Sequence, residues 1–281
     1  MIQGPVAILS GKGGAGKTTL AVRLAQAAAR EGEVLLVDAD AEEPNAALLL
    51  SLSGRRMQPI LASVASVDPS LCRACGRCVD ACAFNAITWK RPAVSISASL
   101  CHGCGLCARL CPAQAISNTA RPIGTLTSAD AGPGLALLES RLEVGQPRAT
   151  EAIRTAMELA AKDTRTVLVD GPPGCACSAM MVVRHARFCL LVAQPTPMGV
   201  HDLALALEMA QRASVPTGIV INRSTARGDA LVRDLARARN VAILGTVPED
   251  AAIANPSRNL EATGREALFL GIWQSIRKAC A

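Results

Sequence analysis

The sequence predicts an α/β protein: a mostly parallel sheet with helices on both faces, interrupted by a small inserted α+β domain. Three observations lead there. A glycine-rich loop, Ser10 to Thr19, lies between an apolar run and an alanine-rich helical pattern. Two further apolar runs each deliver an aspartate at their carboxyl end, where open α/β sheets place their ligands. Between these runs, a twelve-residue cysteine pattern occurs twice.

Pro5 to Leu9 reads as the first strand and Leu20 to Arg30 as the first helix. In the loop between them Gly11, Gly16, Lys17 and Thr18 fill the fixed positions of G-x-x-x-x-G-K-S/T, a phosphate-binding loop. Its glycines (Gly11, Gly13, Gly14, Gly16), with Ala15, let the backbone curl until several N–H groups point at one phosphate. The helix that opens with Lys17, Thr18 and Thr19 adds the positive end of its dipole. Lys17 is expected to reach the β/γ-phosphates and the Thr18 hydroxyl to ligate Mg²⁺. Lysine usage supports this, because the chain has 24 arginines and 5 lysines and two of the five, Lys12 and Lys17, lie in this loop. A compact ammonium suits a crowded phosphate cradle better than a planar guanidinium.

Gly32 ends the helix, and Val34 to Val37 form a strand leading into Asp38-Ala39-Asp40. From about Gln58 to Pro122 the helical periodicity lapses and eight of the twelve cysteines appear. That stretch is too long for a connecting loop. The expected organisation is therefore a main domain, 1–57 and 123–281, with an inserted domain at 58–122.

Within the insert, Leu71 to Cys82 returns 29 residues later as Leu100 to Cys111, and each copy has the spacing C-x2-C-x2-C-x3-C. This is the signature of two-cluster bacterial ferredoxins, whose fourth cysteine ligates the sister cluster. It assigns Cys72, Cys75, Cys78 and Cys111 to one 4Fe–4S cluster and Cys101, Cys104, Cys107 and Cys82 to the other. Pro112 follows the last ligand as the pattern asks, while Ala83 stands in proline's place in the first copy. Zinc would favour wider separation between cysteine pairs. Phe84 and Trp89 read as fillers of a small core that cluster ligation must help to fold.

After the insert, Gly124 to Thr127 and Leu135 to Leu142 suggest a hairpin around Gly132-Pro133-Gly134. Ala149 to Lys162 reads as a helix, and Thr166 to Val169 as a strand ending in Asp170-Gly171-Pro172-Pro173-Gly174. An aspartate at a strand end beside such a turn is a Walker B and switch II arrangement, in which Asp170 binds Mg²⁺ through water and the turn senses the γ-phosphate. Cys175 and Cys177 follow and read as small buried thiols. Strands Phe188 to Val192 and Thr217 to Ile221 then alternate with a helix at His201 to Arg212. His201, beside Asp202, reads as a neighbour of the helix cap.

The chain has 281 residues, 50% of them hydrophobic and 2% aromatic, without tyrosine. The core must be aliphatic, and the stacking platforms of single-strand nucleic-acid binders are missing, so no nucleic-acid partner is expected. The net charge of +6 is scattered over arginines and is compatible with an acidic redox partner. No apolar run approaches about 18 residues, and the first strand begins at once, so a cytoplasmic protein without membrane insertion is expected. Twelve cysteines in that setting point to metal or cluster ligation.

The form K-G-G-x-G-K-T, Lys12 to Thr18, resembles the deviant P-loop of the superfamily of MinD, ParA and the nitrogenase iron protein. The resemblance implies that Lys12 reaches across a dimer interface to the partner's nucleotide. Ala41-Glu42-Glu43-Pro44-Asn45 then resembles switch I, with Asp38 supporting the Mg²⁺ shell and Asp40 positioning or activating the attacking water. Asn222, Arg223 and Pro248 match positions that contact adenine. Cys177 lies where the nitrogenase iron protein has a cysteine holding a cluster between subunits, which offers a second reading of that residue. Gln194 stands where relatives often carry glutamate. Some members touch membrane with a C-terminal amphipathic helix. Here Leu268 to Ile276 has a short apolar face and is expected to pack on the sheet.

Together these features look like an ATPase of this superfamily carrying an inserted ferredoxin domain, with ATP/ADP, Mg²⁺ and two 4Fe–4S clusters as cofactors. The catalytic residues implied are Lys12, Lys17 and Asp40. The expected assembly is a homodimer, or a heterodimer with a related ATPase, passing electrons between a redox donor and an acceptor. The other readings are an iron-sulfur cluster carrier and a MinD-like positioning ATPase.

Overall fold

The computed structural model describes residues 4–255 and 260–280. The outer ends of the expected main domain, residues 1–3 and 281, and residues 256–259 lie outside the described residues. The chain divides into two compact units: one of residues 1–58, 126–141 and 152–281, the other of 59–125 and 142–151. The second differs from the expected insert by leaving out residue 58 and taking in residues 123–125 and 142–151.

The first unit is a wound α/β layer. β1 (Val6–Leu9), β2 (Val34–Asp38), β8 (Thr166–Asp170) and β9 (Phe188–Ala193) are buried at every position, as strands covered on both faces must be. With β7 (Leu135–Leu142), β10 (Thr217–Ser224) and β11 (Ala242–Pro248) they pair in parallel, in the order β11-β10-β9-β1-β8-β2-β7. Two 15-residue strands, β6 (Ile116–Asp130) and then β3 (Ser53–Val67), extend the sheet beyond β7. The Asp68 N–H donates to the Ala115 carbonyl at 2.7 Å and the Thr119 hydroxyl to that of Val64, so β3 and β6 run antiparallel. The hairpin expected around Gly132 is present: the turn between β6 and β7 is closed by the Ala131 N–H on Leu135 O and the Leu135 N–H on Gly132 O. The strands of that hairpin are longer than local alternation indicates, because β6 runs on from the second unit.

α1 (Lys17–Ala28) is lined by small residues and is buried against the sheet. α9 (Glu266–Cys280) packs beside it, burying Phe269, Ile272, Trp273 and Ile276 at the i, i+3, i+4, i+7 spacing of one helix face. This is the packing expected of the tail. Arg23 of α1 is 1% exposed, and its guanidinium donates to the carbonyls of Ile253 and Asn255 just after Asp250. α6 (Pro197–Arg212) begins four residues before the expected start. Thr196 caps it, accepting from the Gly199 N–H at 3.0 Å, and Pro197 fits the first helical position. His201 is therefore inside the helix rather than beside its cap.

In the second unit, α2 (Arg77–Asp80) and α3 (Leu106–Leu110) are single turns, each entered from a left-handed glycine, Gly76 at φ 79 and Gly105 at φ 73. Left-handed backbone recurs at the same offset in Ala74 and Gly103, and in Asn85 and Gln114. The 29-residue sequence repeat is thus also a repeat of conformation. β4 (Ile87–Lys90) and β5 (Ala93–Ile96) form a separate antiparallel ribbon. Phe84 and Trp89 correct the expectation of core fillers, since both are exposed. Trp89 covers Gly76, where an added Cβ would stand 2.5 Å from the ring.

Candidate functional site

Parallel pairing of β2 with β8 places Asp38 directly opposite Asp170 at the carboxyl edge. Lys17, in the first turn of α1, reaches between the strands. Its Nζ lies 3.0 Å from Asp170 Oδ1, with both residues buried. The other oxygen, Asp170 Oδ2, is buried with no hydrogen-bond partner among the described residues. A buried carboxylate oxygen left open beside the first turn of α1 fits a Mg²⁺ shell held by Asp170 and Thr18.

Gly16 leads into α1 with φ 84, and a Cβ there would meet Asn222 Nδ2 at 2.2 Å. That amide donates to the Ala15 carbonyl at 2.8 Å, and Gln194 Nε2 donates to the Gly14 carbonyl at 3.0 Å. The loop is therefore anchored from β10 and from the turn after β9, which leaves the amides of the Gly11 to Gly16 arc to the phosphate side. Thr18 and Thr19 are half-buried in the first turn. Arg223 follows Asn222 in left-handed backbone, and Pro248 lies in register with Ser224. All three expected adenine positions thus come from the ends of two neighbouring strands.

The two aspartates after β2 play different parts. Asp38 Oδ1 accepts the Asp40 N–H at 3.2 Å, and Oδ2 accepts those of Asn45 and Ala46 at 2.9 and 2.8 Å. Its carboxylate is committed to the backbone of the following loop, which is a capping arrangement and not that of an open Mg²⁺ ligand. Burial, and then the charge of Asp170, push its carboxyl well above the usual range. Asp40 is less enclosed. Burial pushes it up to about 6, against the pull of Lys17.

Lys12 Nζ lies 3.8 Å from Asp202 Oδ2 on α6. Asp202 and Gln194 escaped the reading of the sequence as partners of the loop, because nothing local to them predicts which strand end they face. Cys175, and Cys177 at the start of α5 (Cys177–His185), are exposed, against the expectation of buried thiols.

In the second unit four of the eight thiols accept backbone N–H groups. Cys72 Sγ accepts from the Ala74 N–H, as Cys101 Sγ does from Gly103. Cys82 Sγ accepts from Ala86, as Cys111 Sγ does from Ala115, at 3.4 and 3.3 Å. Such N–H donors stabilise thiolate and lower the negative charge that ligated sulfurs carry. One cavity is lined by Cys101, Cys104, Cys107 and, from the other copy, Cys82, with Ile87 and Ile96 as apolar walls. Burial pushes the Cys78 thiol up, and Cys111 and Cys75 lie close enough to push it further. Each set of three thus has the fourth cysteine of the other copy beside it. No disulfide joins any of the twelve. Among the described residues no three of His, Cys, Asp or Glu converge as ligands of a single metal ion do.

A buried loop lysine between strand-end aspartates, on this sheet order, defines a P-loop nucleotide-binding protein. A profile of the CobQ/CobB/MinD/ParA nucleotide-binding domain matches residues 6–262, and the chain belongs to that family. It is 30% identical over 219 residues to an uncharacterized protein of Methanocaldococcus jannaschii, covering 78% of this chain and 77% of that one. A shorter stretch of 54 residues is 52% identical to an iron-sulfur cluster carrier protein of Synechocystis, covering 19% of this chain and 15% of that protein. Among solved structures, the cell division ATPase MinD of Pyrococcus furiosus superposes with a TM-score of 0.59 at 19% identity, over 98% of this chain and 99% of that one. An ATP complex of McdA from Cyanothece gives 0.60 at 16% identity, over 99% and 96%. At these identities the structural likeness is one of fold.

Proposed function

We propose that this protein is an ATP-hydrolysing, dimer-forming switch that gates electron transfer through two 4Fe–4S clusters held by its second unit. The observation that carries the reading is the coexistence, in one chain, of a P-loop site and two C-x2-C-x2-C-x3-C runs, the fourth cysteine of each lying beside the other run. Lys17 and the loop amides bind the β- and γ-phosphates, and Asp170 and Thr18 hold Mg²⁺, which when bound neutralises phosphate charge. Asp38 fixes the switch I backbone, and Asp40 orients the attacking water. Lys12 leaves Asp202 to contact the partner subunit's nucleotide. The clusters, when bound, take up and release single electrons. Cys72, Cys75, Cys78 and Cys111 hold one, and Cys82, Cys101, Cys104 and Cys107 the other. Only residues 41–52 separate Asp40 from β3, the strand that continues into the cysteine-bearing unit. A nucleotide-dependent change at switch I therefore has a short covalent route to it.

Anaerobically prepared protein should contain close to eight irons per chain and give a low-potential paramagnetic signal on reduction. Its oxidation by an excess acceptor in a stopped-flow instrument should accelerate with MgATP and not with MgADP. Equal rates without nucleotide would remove the coupling, and iron-free protein would remove the clusters.

A second reading, an iron-sulfur cluster carrier, is favoured by the short match to such a protein and by the exposed pair Cys175 and Cys177. Loss of iron to an apo-acceptor on the time scale of ATP turnover distinguishes it from the first.

A further inference from the structure

Beyond its cysteines, the second unit has a lopsided charge. Residues 59–125 and 142–151 contain seven basic side chains, Arg73, Arg77, Lys90, Arg91, Arg109, Arg121 and Arg148, against the acids Asp68, Asp80, Glu143 and Glu151. Three of the seven converge. Lys90 and Arg91 at the tip of the β4–β5 ribbon and Arg121 of β6 line one groove of about 470 Å³, which contains no acidic side chain. All three are exposed, and none forms an ion pair among the described residues. The nearest acid in sequence, Asp68, follows groove residue Val67 and spends its Oδ1 on the Ser70 N–H and hydroxyl at 2.9 and 2.6 Å.

The position of the groove gives it a purpose. Ala65 and Ile96 line both this groove and the cavity of Cys82, Cys101, Cys104 and Cys107. The Ala65 N–H itself donates to Cys101 Sγ at 3.5 Å. One layer of small and aliphatic side chains therefore separates the cationic groove from that cysteine quartet.

We propose that Lys90, Arg91 and Arg121 form a docking site for an acidic redox protein, which they seat against the Cys82/Cys101/Cys104/Cys107 end of the unit. Unpaired cations steer an acidic partner and fix its orientation more than they add affinity, and salt screens them. A protein suits the groove better than a nucleic acid. No aromatic side chain lines the groove, so it offers no face for base stacking. The purpose of the site rests on the cluster reading above, but its binding does not.

The test is equilibrium binding to the full chain of two electron carriers of similar size, an acidic plant-type 2Fe–2S ferredoxin and a basic cytochrome c. It compares wild type, a Lys90→Glu/Arg91→Glu/Arg121→Glu variant, and a control with the same charge change, Arg212→Glu/Arg237→Glu/Arg239→Glu, on or just after helices of the first unit. The acidic carrier should bind wild type and the control at 50 mM salt, at least tenfold more weakly at 300 mM. It should bind the groove variant at least tenfold more weakly than the control, with cytochrome c binding none of them. A neutral variant, Lys90→Gln/Arg91→Gln/Arg121→Gln, guards against misfolding and should fall between. Equal weakening in groove variant and control, no binding by wild type, or displacement of the acidic carrier by an equimolar 20-nucleotide single strand would overturn the proposal. Iron content, measured on the same samples, tests the cluster reading separately.

Discussion

Asp40 lies in the partly buried loop after β2, where burial outweighs the pull of Lys17 and sets its carboxyl at about 6. Between about pH 4 and pH 6 the folded protein holds a proton there that the unfolded chain has released. The stability that this group contributes is therefore full in acid and lost as pH rises through 6. The difference in thermal midpoint between Asp40→Asn and wild type should accordingly move in favour of the variant from pH 4.5 to pH 7.5. A constant difference would mean that Asp40 is already ionised at the lower pH. The same residue scale marks what a linear reading reaches. Lys17, Gly16 and Asp170 are recognisable because their neighbours in sequence form the motif. That Asp38 would be consumed by the N–H groups of Asp40, Asn45 and Ala46, or that Asp202 would hold Lys12, depends on how the chain folds back.

At the scale of elements, periodicity located the parallel strands, since a strand buried on both faces is an apolar run whatever surrounds it, but only four of the nine helices among the described residues, α1, α4 (Ala149–Ala160), α6 and α9. It understated β3 and β6, whose exposed positions are satisfied by a partner strand more than 50 residues away. α9 shows how packing resolves an ambiguous amphipathic tail. Its face of Phe269, Ile272, Trp273 and Ile276 is buried against the aliphatic core that α1 lines. Trp273→Ala should remove about 3–5 kcal/mol in chemical denaturation, the usual cost of deleting a buried large aromatic. Under native conditions the affinity for ADP should change little. A loss below 1 kcal/mol would place the helix off the core.

For the whole molecule, the division into two compact units predicts unequal dependence on metal. The first unit has an extensive aliphatic core, while the second buries few large side chains and carries two of the chain's five aromatics, both exposed. A module of that kind takes much of its folding energy from ligation. Removing iron with a chelator under anaerobic conditions should abolish hydrogen-exchange protection over residues 59–125. Protection of β1, β2 and β8 and the affinity for ADP should persist. Concerted loss of both would show that the units are not separately stable.

By itself the sequence determined the phosphate loop, the strand-end aspartates and the doubled cysteine spacing, because each is a local pattern whose chemistry is set by residues within about a dozen positions. Only the tertiary structure decided which groups answer one another across long separations: Asp170 on Lys17, Asn222 and Gln194 on the loop, and Lys90, Arg91 and Arg121 around one groove. Those pairings follow from sheet order and chain reversal, and neither is written in the spacing of neighbouring residues.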